Sequence, residues 1–393
     1  MAFRFEYRPG TISYGPGCVS TLGAELDGLG VENPLVVTGR TVGETAAVMD
    51  PIYEGVGDRL AGAFAETTPE KRLSTALRGA ERVAETEADG LVAVGGGSSL
   101  DVAKVVAAVV GSDRFGDSIA AEFEKTGSIT VPEGPLLPIC AVPTTLAGAD
   151  LSVVAGITTR RDGLTRGGIS DGRLMPEALW YDTELFRTTP DGVLCASAMN
   201  GFDKAIETTY AAAGTPITDG TAVRALRHLS DGLPALGAGE RDEATMRDAV
   251  VGTILAQYGC SRPDGLTLSL LHAFGHGIAR GYDVQQGGAH AIIAPHALAY
   301  LLDEVDAGGG LLAEGFGVEA DTPEARVSGI LRSVEEVRDT LGLPSRLREI
   351  PDMSESDLHT IAADVHSDGF MSYCPPGLDP TVEALEDVLR QAW

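Results

Sequence analysis

Residues Gly95-Gly96-Gly97-Ser98-Ser99-Leu100-Asp101-Val102-Ala103-Lys104 follow directly on the apolar run Leu91-Val92-Ala93-Val94. The pattern predicts a strand, a tight glycine turn and a helix start. Three glycines remove the side chains that would keep a bulky anion off the backbone. The unpaired N–H groups of a helix's first turn then point at that anion, helped by the positive end of the helix dipole. A plain strand-to-helix turn needs one glycine and rarely three, so this segment reads as a diphosphate cradle. The expectation is a nucleotide-dependent enzyme.

The elements around the cradle follow the same logic. Leu35-Val36-Val37-Thr38 reads as a strand ending at Gly39, and residues 69–87 carry helical spacing at Leu73, Leu77, Ala80 and Val83. Residues 137–142, 153–158 and 178–181 read as further strands. Strands separated by helices imply a parallel, doubly wound α/β sheet, whose ligands sit at the strands' carboxyl ends, where the glycine turn falls. After Pro190 the texture changes. Residues 193–210, 218–236, 242–260 and 266–279 have helical periodicity with Gly and Pro at the breaks. The division predicted is a dinucleotide-binding domain over 1–183 and an all-α substrate and catalytic domain over 184–393. Gly308-Gly309-Gly310 follows no buried strand and reads as a surface turn.

Composition narrows the partners. The 393 residues leave room for two full cores. No apolar run reaches the ~20 residues that span a bilayer, and the N-terminal residues lack the apolar centre of a signal peptide. The expectation is a soluble, cytoplasmic protein with no membrane partner. Five scattered cysteines suggest neither a disulfide framework nor a thiolate metal knot. Against 57 acidic residues stand 29 basic ones, a net charge of −28, which opposes a nucleic-acid partner. Only four of the basic residues are lysines, Lys71, Lys104, Lys125 and Lys204. Dense carboxylates with so little lysine suit a halophilic source, where salt screens the self-repulsion.

Several motifs together resemble the iron-containing alcohol dehydrogenase family over essentially the whole chain. They are the glycine turn with Asp101 and Lys104, the loop Pro143-Thr144-Thr145-Leu146-Ala147-Gly148, Met199-Asn200 ahead of Ala205-Ile206-Glu207, His272 with His276, and His290-Ala291-Ile292-Ile293-Ala294-Pro295. The branch most similar is the maleylacetate reductases. The resemblance implies a dinucleotide domain and a helical domain, hydride transfer in the cleft between them, and a homodimer. It implies that Gly96, Gly97, Ser98 and Asp101 line the pyrophosphate and nicotinamide side, with Thr144 and Thr145 opposite. Gly39 stands where NAD-restricted relatives resemble one another in an aspartate. With Arg40 beside it, the 2′-phosphate of NADP is admitted, so the cofactor is NAD or NADP; an ordinary solvated arginine is the other reading of Arg40. Arg166 stands near a cofactor-facing lysine of the family, or is a loop charge.

Metal-using relatives resemble one another in an aspartate and a histidine one helical turn apart, then two more histidines. On this chain those positions are Asn200, Lys204, His272 and Gln286. Iron and zinc prefer carboxylate, thiolate or neutral imidazole, and a protonated lysine brings a repelling charge, so no metal is expected. Lys204 is read as a point charge acting for the metal, polarising a carbonyl or binding a carboxylate, with His272 or His276 as proton donor. Its other reading is a helix-surface lysine paired with Asp203 or Glu207, and structural roles are open for His276 and His290. The function expected is NAD(P)H-dependent, metal-independent reduction of a small, anionic carbonyl or unsaturated keto-acid substrate. The alternatives are a metal-dependent alcohol dehydrogenase with altered ligands and a cofactor-binding protein without turnover.

Overall fold

The computed structural model describes residues 3–393 apart from Asp113, Phe115, Asp162 and Asp306. The chain forms two compact units, one over Glu6–Thr189 and one over Pro190–Trp393 together with the N-terminal residues up to Phe5.

The first unit is built on a six-stranded sheet of order β1-β8-β5-β4-β2-β3 among the described residues. Its members are β1 (Thr11–Tyr14), β2 (Pro34–Gly39), β3 (Gly62–Thr67), β4 (Gly90–Gly95), β5 (Ile139–Pro143) and β8 (Ala178–Tyr181), all paired in parallel. The central strands are buried along their length, as a sheet covered on both faces requires, whereas the edge strands β1 and β3 are half-exposed. The covering helices are α1 (Leu22–Leu29), α2 (Arg40–Gly43), α3 (Ala46–Val56), α4 (Leu73–Thr86), α5 (Gly97–Val110) and α6 (Gly116–Thr126). A short α7 (Thr183–Arg187) follows β8, its N-terminus capped by Asp182.

One strand does not join this sheet. β6 (Val154–Thr159) pairs antiparallel with β7 (Thr165–Ser170) in a separate hairpin. Burial along β6 alternates, the mark of a hairpin with one covered face rather than of a strand inside a parallel sheet.

The second unit is helical: α8 (Asp191–Tyr210), α9 (Pro216–Gly237), α10 (Glu243–Gln257), α11 (Leu270–Ala279), α12 (Gln286–Glu304), α13 (Gly309–Phe316), α14 (Pro323–Thr340), α15 (Leu358–His366) and α16 (Val382–Gln391), with a two-residue ladder of β9 (Ser261–Arg262) and β10 (Gly265–Leu266). From Leu194 onward α8 is buried at nearly every residue, which makes it the axis of the unit. At Gly287 a Cβ would stand 1.8 Å from the Ala196 carbonyl oxygen, so α12 meets α8 backbone to backbone just beside Gln286. The second glycine run forms a turn, as expected, and that turn opens α13. Gly308 enters α13 at φ +73°, and a Cβ there would lie 2.7 Å from the Thr209 carbonyl oxygen.

Candidate functional site

In the first unit the carboxyl ends of three neighbouring strands carry most of the residues assigned to the nucleotide. β2 ends at Gly39 with Arg40 next, β4 ends at Gly95 before Gly96, Gly97 and Ser98, and β5 ends at Pro143 before Thr144 and Thr145. The amide of Thr144 donates to the Gly95 carbonyl at 3.0 Å, tying two of these ends together. Gly96 is the N-cap of α5 and offers no side-chain cap, whereas Thr215, Asp242, Thr322 and Thr381 cap α9, α10, α14 and α16. The first N–H groups of α5 therefore lack the partner that those helices supply for themselves, which is what an incoming anion needs. The glycines have a second reason. A Cβ on Gly96 would lie 3.2 Å from Thr145 Cγ2, and one on Gly97 would lie 3.3 Å from Ala149 Cβ, so the turn and the threonine loop pack tightly and a side chain would press on that loop.

Two residues assigned to the nucleotide are tied to the β6–β7 hairpin. The Oδ2 atom of Asp101 accepts from Lys71 Nζ at 2.6 Å and from the Gly156 amide at 3.1 Å, anchoring the β6–β7 hairpin. Arg166 is an exposed residue of β7 in that hairpin. Lys104 is no charge for a ligand. It is fully buried, and its Nζ donates to the carbonyls of Ala149 and Ser152 at 2.7 Å and of Val154 at 3.2 Å. It clamps the loop that follows Thr145.

In the second unit α8, α11 and α12 gather a buried group of ionisable side chains. Asp203, Lys204 and Glu207 come from α8, His272 from α11 and His290 from α12, and all five are buried. The carboxylates serve the histidines rather than the lysine. Glu207 Oε2 and His272 Nδ1 share a hydrogen bond, while Asp203 Oδ2 lies 2.7 Å from His290 Nδ1. The imidazoles of His272 and His290 meet edge to face at 4.7 Å. On the same helix as His272, one turn on, His276 pairs through Nδ1 with Asp368 at 3.1 Å and is half-exposed. Phe370 rests against both rings, at 5.7 Å from His272 and 4.9 Å from His276.

Burial sets the charges here. It drives His272 well below the usual imidazole value, and His290 and Lys204 push the same way, so the ring is neutral. Burial likewise lifts Asp203 to about 6 and Glu207 to about 7 against the pull of their partners. Asp368 behaves oppositely: burial pushes it up, but the bond from His276, the Phe370 amide and Arg280 hold it below the carboxylate range.

Residues 9–183 match the iron-containing alcohol dehydrogenase family, and residues 194–393 match the C-terminal part of the same family. The chain belongs to that family. It is an NAD(P)-dependent oxidoreductase. The maleylacetate reductase of Pseudomonas aeruginosa is 28% identical over 300 residues, covering 76% of each protein. The NAD-dependent methanol dehydrogenase of Bacillus methanolicus is 26% identical over 385 residues, 96% of this chain and 95% of that one. A solved 1,3-propanediol oxidoreductase superposes with a TM-score of 0.89 at 22% identity over the full length of both chains.

The family name implies iron, and the four positions that would hold it do not suit it. Asn200 and Gln286 offer neutral carbonyl oxygens, and Lys204 offers a buried ammonium. His272 has Nδ1 engaged by Glu207 and keeps only Nε2. The carboxylates nearby, Asp203 and Glu207, already face histidines. A transition-metal ion wants two or more anionic or imidazole donors at one point, and a cation in place of a donor repels it. Asn200 Oδ1 is buried without a hydrogen-bond partner among the described residues, so that corner of α8 is polar but not anionic. The pairs Glu207–His272 and Asp203–His290 escaped the sequence reading because the partners lie in different helices. The i, i+4 placement of Asp203 and Glu207 on α8, next to Asn200 and Lys204 in a helix otherwise rich in apolar residues, was the signal available.

Proposed function

We propose that this chain is a metal-independent NAD(P)H-dependent reductase of a small, anionic carbonyl or unsaturated keto-acid substrate, similar to the maleylacetate reductases. The observation that carries this reading is the buried Lys204 ammonium beside a neutral His272, at the positions where a metal-using relative would need anionic donors. The first unit binds the dinucleotide, with Gly96, Gly97 and Ser98 at its diphosphate and Thr144 and Thr145 beside it. When bound, the nicotinamide supplies the hydride.

Whether hydride adds to a carbonyl carbon or to the far carbon of a conjugated double bond, negative charge develops on the carbonyl oxygen. Lys204 stabilises that oxygen, in a dry setting where one fixed charge is worth far more than in water. A substrate carboxylate finds the same cation. His276 completes the reaction by giving its Nε2 proton to the anion. It is held through Nδ1 by Asp368, and its half-exposed ring is recharged from water. Of the two histidines, His272 is the poorer donor, because burial keeps it neutral.

Gly39 and Arg40 leave NADP as well as NAD acceptable at the ribose. Free thiols at Cys18, Cys140, Cys195, Cys260 and Cys374 suit a reducing cytoplasm. The homodimer rests on the family resemblance. The halophilic habit rests on the charge balance, and an unfolding midpoint that climbs in molar KCl is its measurement. Among the described residues no helix is long and apolar enough to cross a membrane.

Steady-state kinetics of Lys204→Ala test the core of the proposal. The expected loss in kcat/KM is about 10²-fold or more, and chelator should leave the wild-type rate intact. Activity abolished by chelator and restored by iron or zinc would overturn the metal-free reaction. Nucleotide binding with no turnover across a panel of keto acids and aldehydes would leave only a binding protein.

A further inference from the structure

The reaction just described gives no task to Glu207, a buried carboxyl group in contact with His272. Glu207 is fully buried on α8, and its two oxygens are divided between two duties. Oε1 accepts the amides of Ser269 at 2.9 Å, Leu271 at 2.8 Å and His272 at 3.2 Å. These are the N-cap and first-turn N–H groups of α11, whose own N-cap residue Ser269 makes no side-chain cap. Oε2 faces His272 Nδ1. The imidazole is held on its other sides by the rings of His290 and Phe370. A ring so enclosed has one orientation, and an acceptor at Nδ1 decides which nitrogen carries the proton.

We infer that Glu207 is a positioning residue for the reaction: its carboxylate locks His272 in the Nδ1–H tautomer, leaving Nε2 as a bare acceptor, while it seats the turn of α11 that bears His272 and His276. This rests on the reading that His272 belongs to the working site. The bare Nε2 has a defined use there. It can accept a hydrogen bond from the Lys204 ammonium or from a substrate hydroxyl, and it cannot protonate the oxyanion, which leaves that step to His276.

Glu207→Gln separates the two duties. The amide oxygen can still accept the three backbone N–H groups and preserve the helix start. Its NH₂ then faces Nδ1, which must become the acceptor, and the imidazole proton moves to Nε2. A helix clamp alone would tolerate this change; a tautomer lock would not. The experiment is a double-mutant cycle of Glu207→Gln and His272→Ala on the full chain, followed by kcat and KM and joined to ¹⁵N NMR of the histidines. The expected result is a fall in kcat of about 10²-fold or more for Glu207→Gln, an unmoved KM for the nicotinamide cofactor, and a double variant no slower than His272→Ala. The NMR should find His272 protonated at Nδ1 in the wild type and at Nε2 in the Gln variant.

Wild-type kcat in a folded Glu207→Gln protein, or penalties that multiply in the double variant, would overturn the role of Glu207 while the site reading stands. A His272→Ala enzyme with full kcat would instead remove His272 from the site and the inference with it. Should Glu207→Gln not fold, the wild-type tautomer decides, since a proton on Nε2 refutes the lock.

Discussion

Gly275 is where the buried histidine pair can be tested by sterics alone. A Cβ at this position of α11 would lie 2.1 Å from His290 Nε2 and 2.3 Å from Cδ2. Ordinary contact begins near 3.4 Å, so the ring must retreat by more than an ångström. It has nowhere open to go, being fully buried with Asp203 at its other nitrogen and the His272 ring packed against it. Overpacking of this kind costs about 1–3 kcal/mol. Parting His290 from Asp203 adds to that, since a buried carboxylate left alone is costly by about 3–5 kcal/mol. Asp203 relieves much of this second cost by taking up a proton, because burial has already lifted it to about 6. A net loss of about 3 kcal/mol corresponds to a fall in Tm of roughly 6–12 °C for a unit of this size. Gly220→Ala is the matched control. It lies exposed in α9 with nothing within 4 Å of the new Cβ, and should gain about 0.5–1 kcal/mol from helix propensity. Calorimetry or thermal circular dichroism reads both. The Gly275→Ala enzyme should also lose kcat, because His290 braces His272. A Tm within a degree or two of wild type, with full activity, would mean that the ring has room and that the packing argument fails.

Gly39→Asp should shift kcat/KM toward NADH over NADPH by about tenfold, ~1.4 kcal/mol, because a carboxylate beside the ribose repels a 2′-phosphate. The new Cβ is 3.3 Å from the Thr67 carbonyl oxygen, tight but tolerable, and an unchanged cofactor ratio would remove Gly39 from the ribose site. His296 gives a pH signature. Burial first, then Arg346 and Arg338, lower it from 6.5 to about 4. Below pH 6.5 the unfolded chain binds a proton that the folded chain refuses until about pH 4, so stability falls as pH drops through that window. His296→Gln should flatten the urea midpoint against pH between those values, and an unaltered slope would refute the assignment.

The parallel sheet was legible because its inner strands are buried on both sides and so appear as continuous apolar runs, Leu35-Val36-Val37 and Leu91-Val92-Ala93-Val94 among them. The edge strands β1 and β3 were not, since TISY and GAFAET mix polar and apolar residues on half-exposed edges. Residues 153–158 read as one more strand of the sheet, because β-branched content marks a strand without saying what it pairs with. In the site, spacing found His272 and His276, which share one helix. It could not find that Glu207 and Asp203 meet His272 and His290, because contacts across such long separations are made by packing rather than by periodicity. By sequence Glu207 and Asp203 neighbour Lys204, and the fold sets them against His272 and His290. Lys104 entered the reading only as part of the glycine-turn motif, and Val102-Ala103 before it with Val105-Val106 after it announce the buried helix in which it lies.

The fate of the lysines has a practical side. Lys104 is sealed on three carbonyls and Lys204 is buried in the helical unit, which leaves the exposed Lys125 and, behind its ion pair with Asp101, the partly exposed Lys71, both in the sheet unit, as the lysine amines within reach of reagents. Amine-directed dyes, cross-linkers or resin coupling would therefore attach at lysine through one half of the molecule and leave the other unmarked.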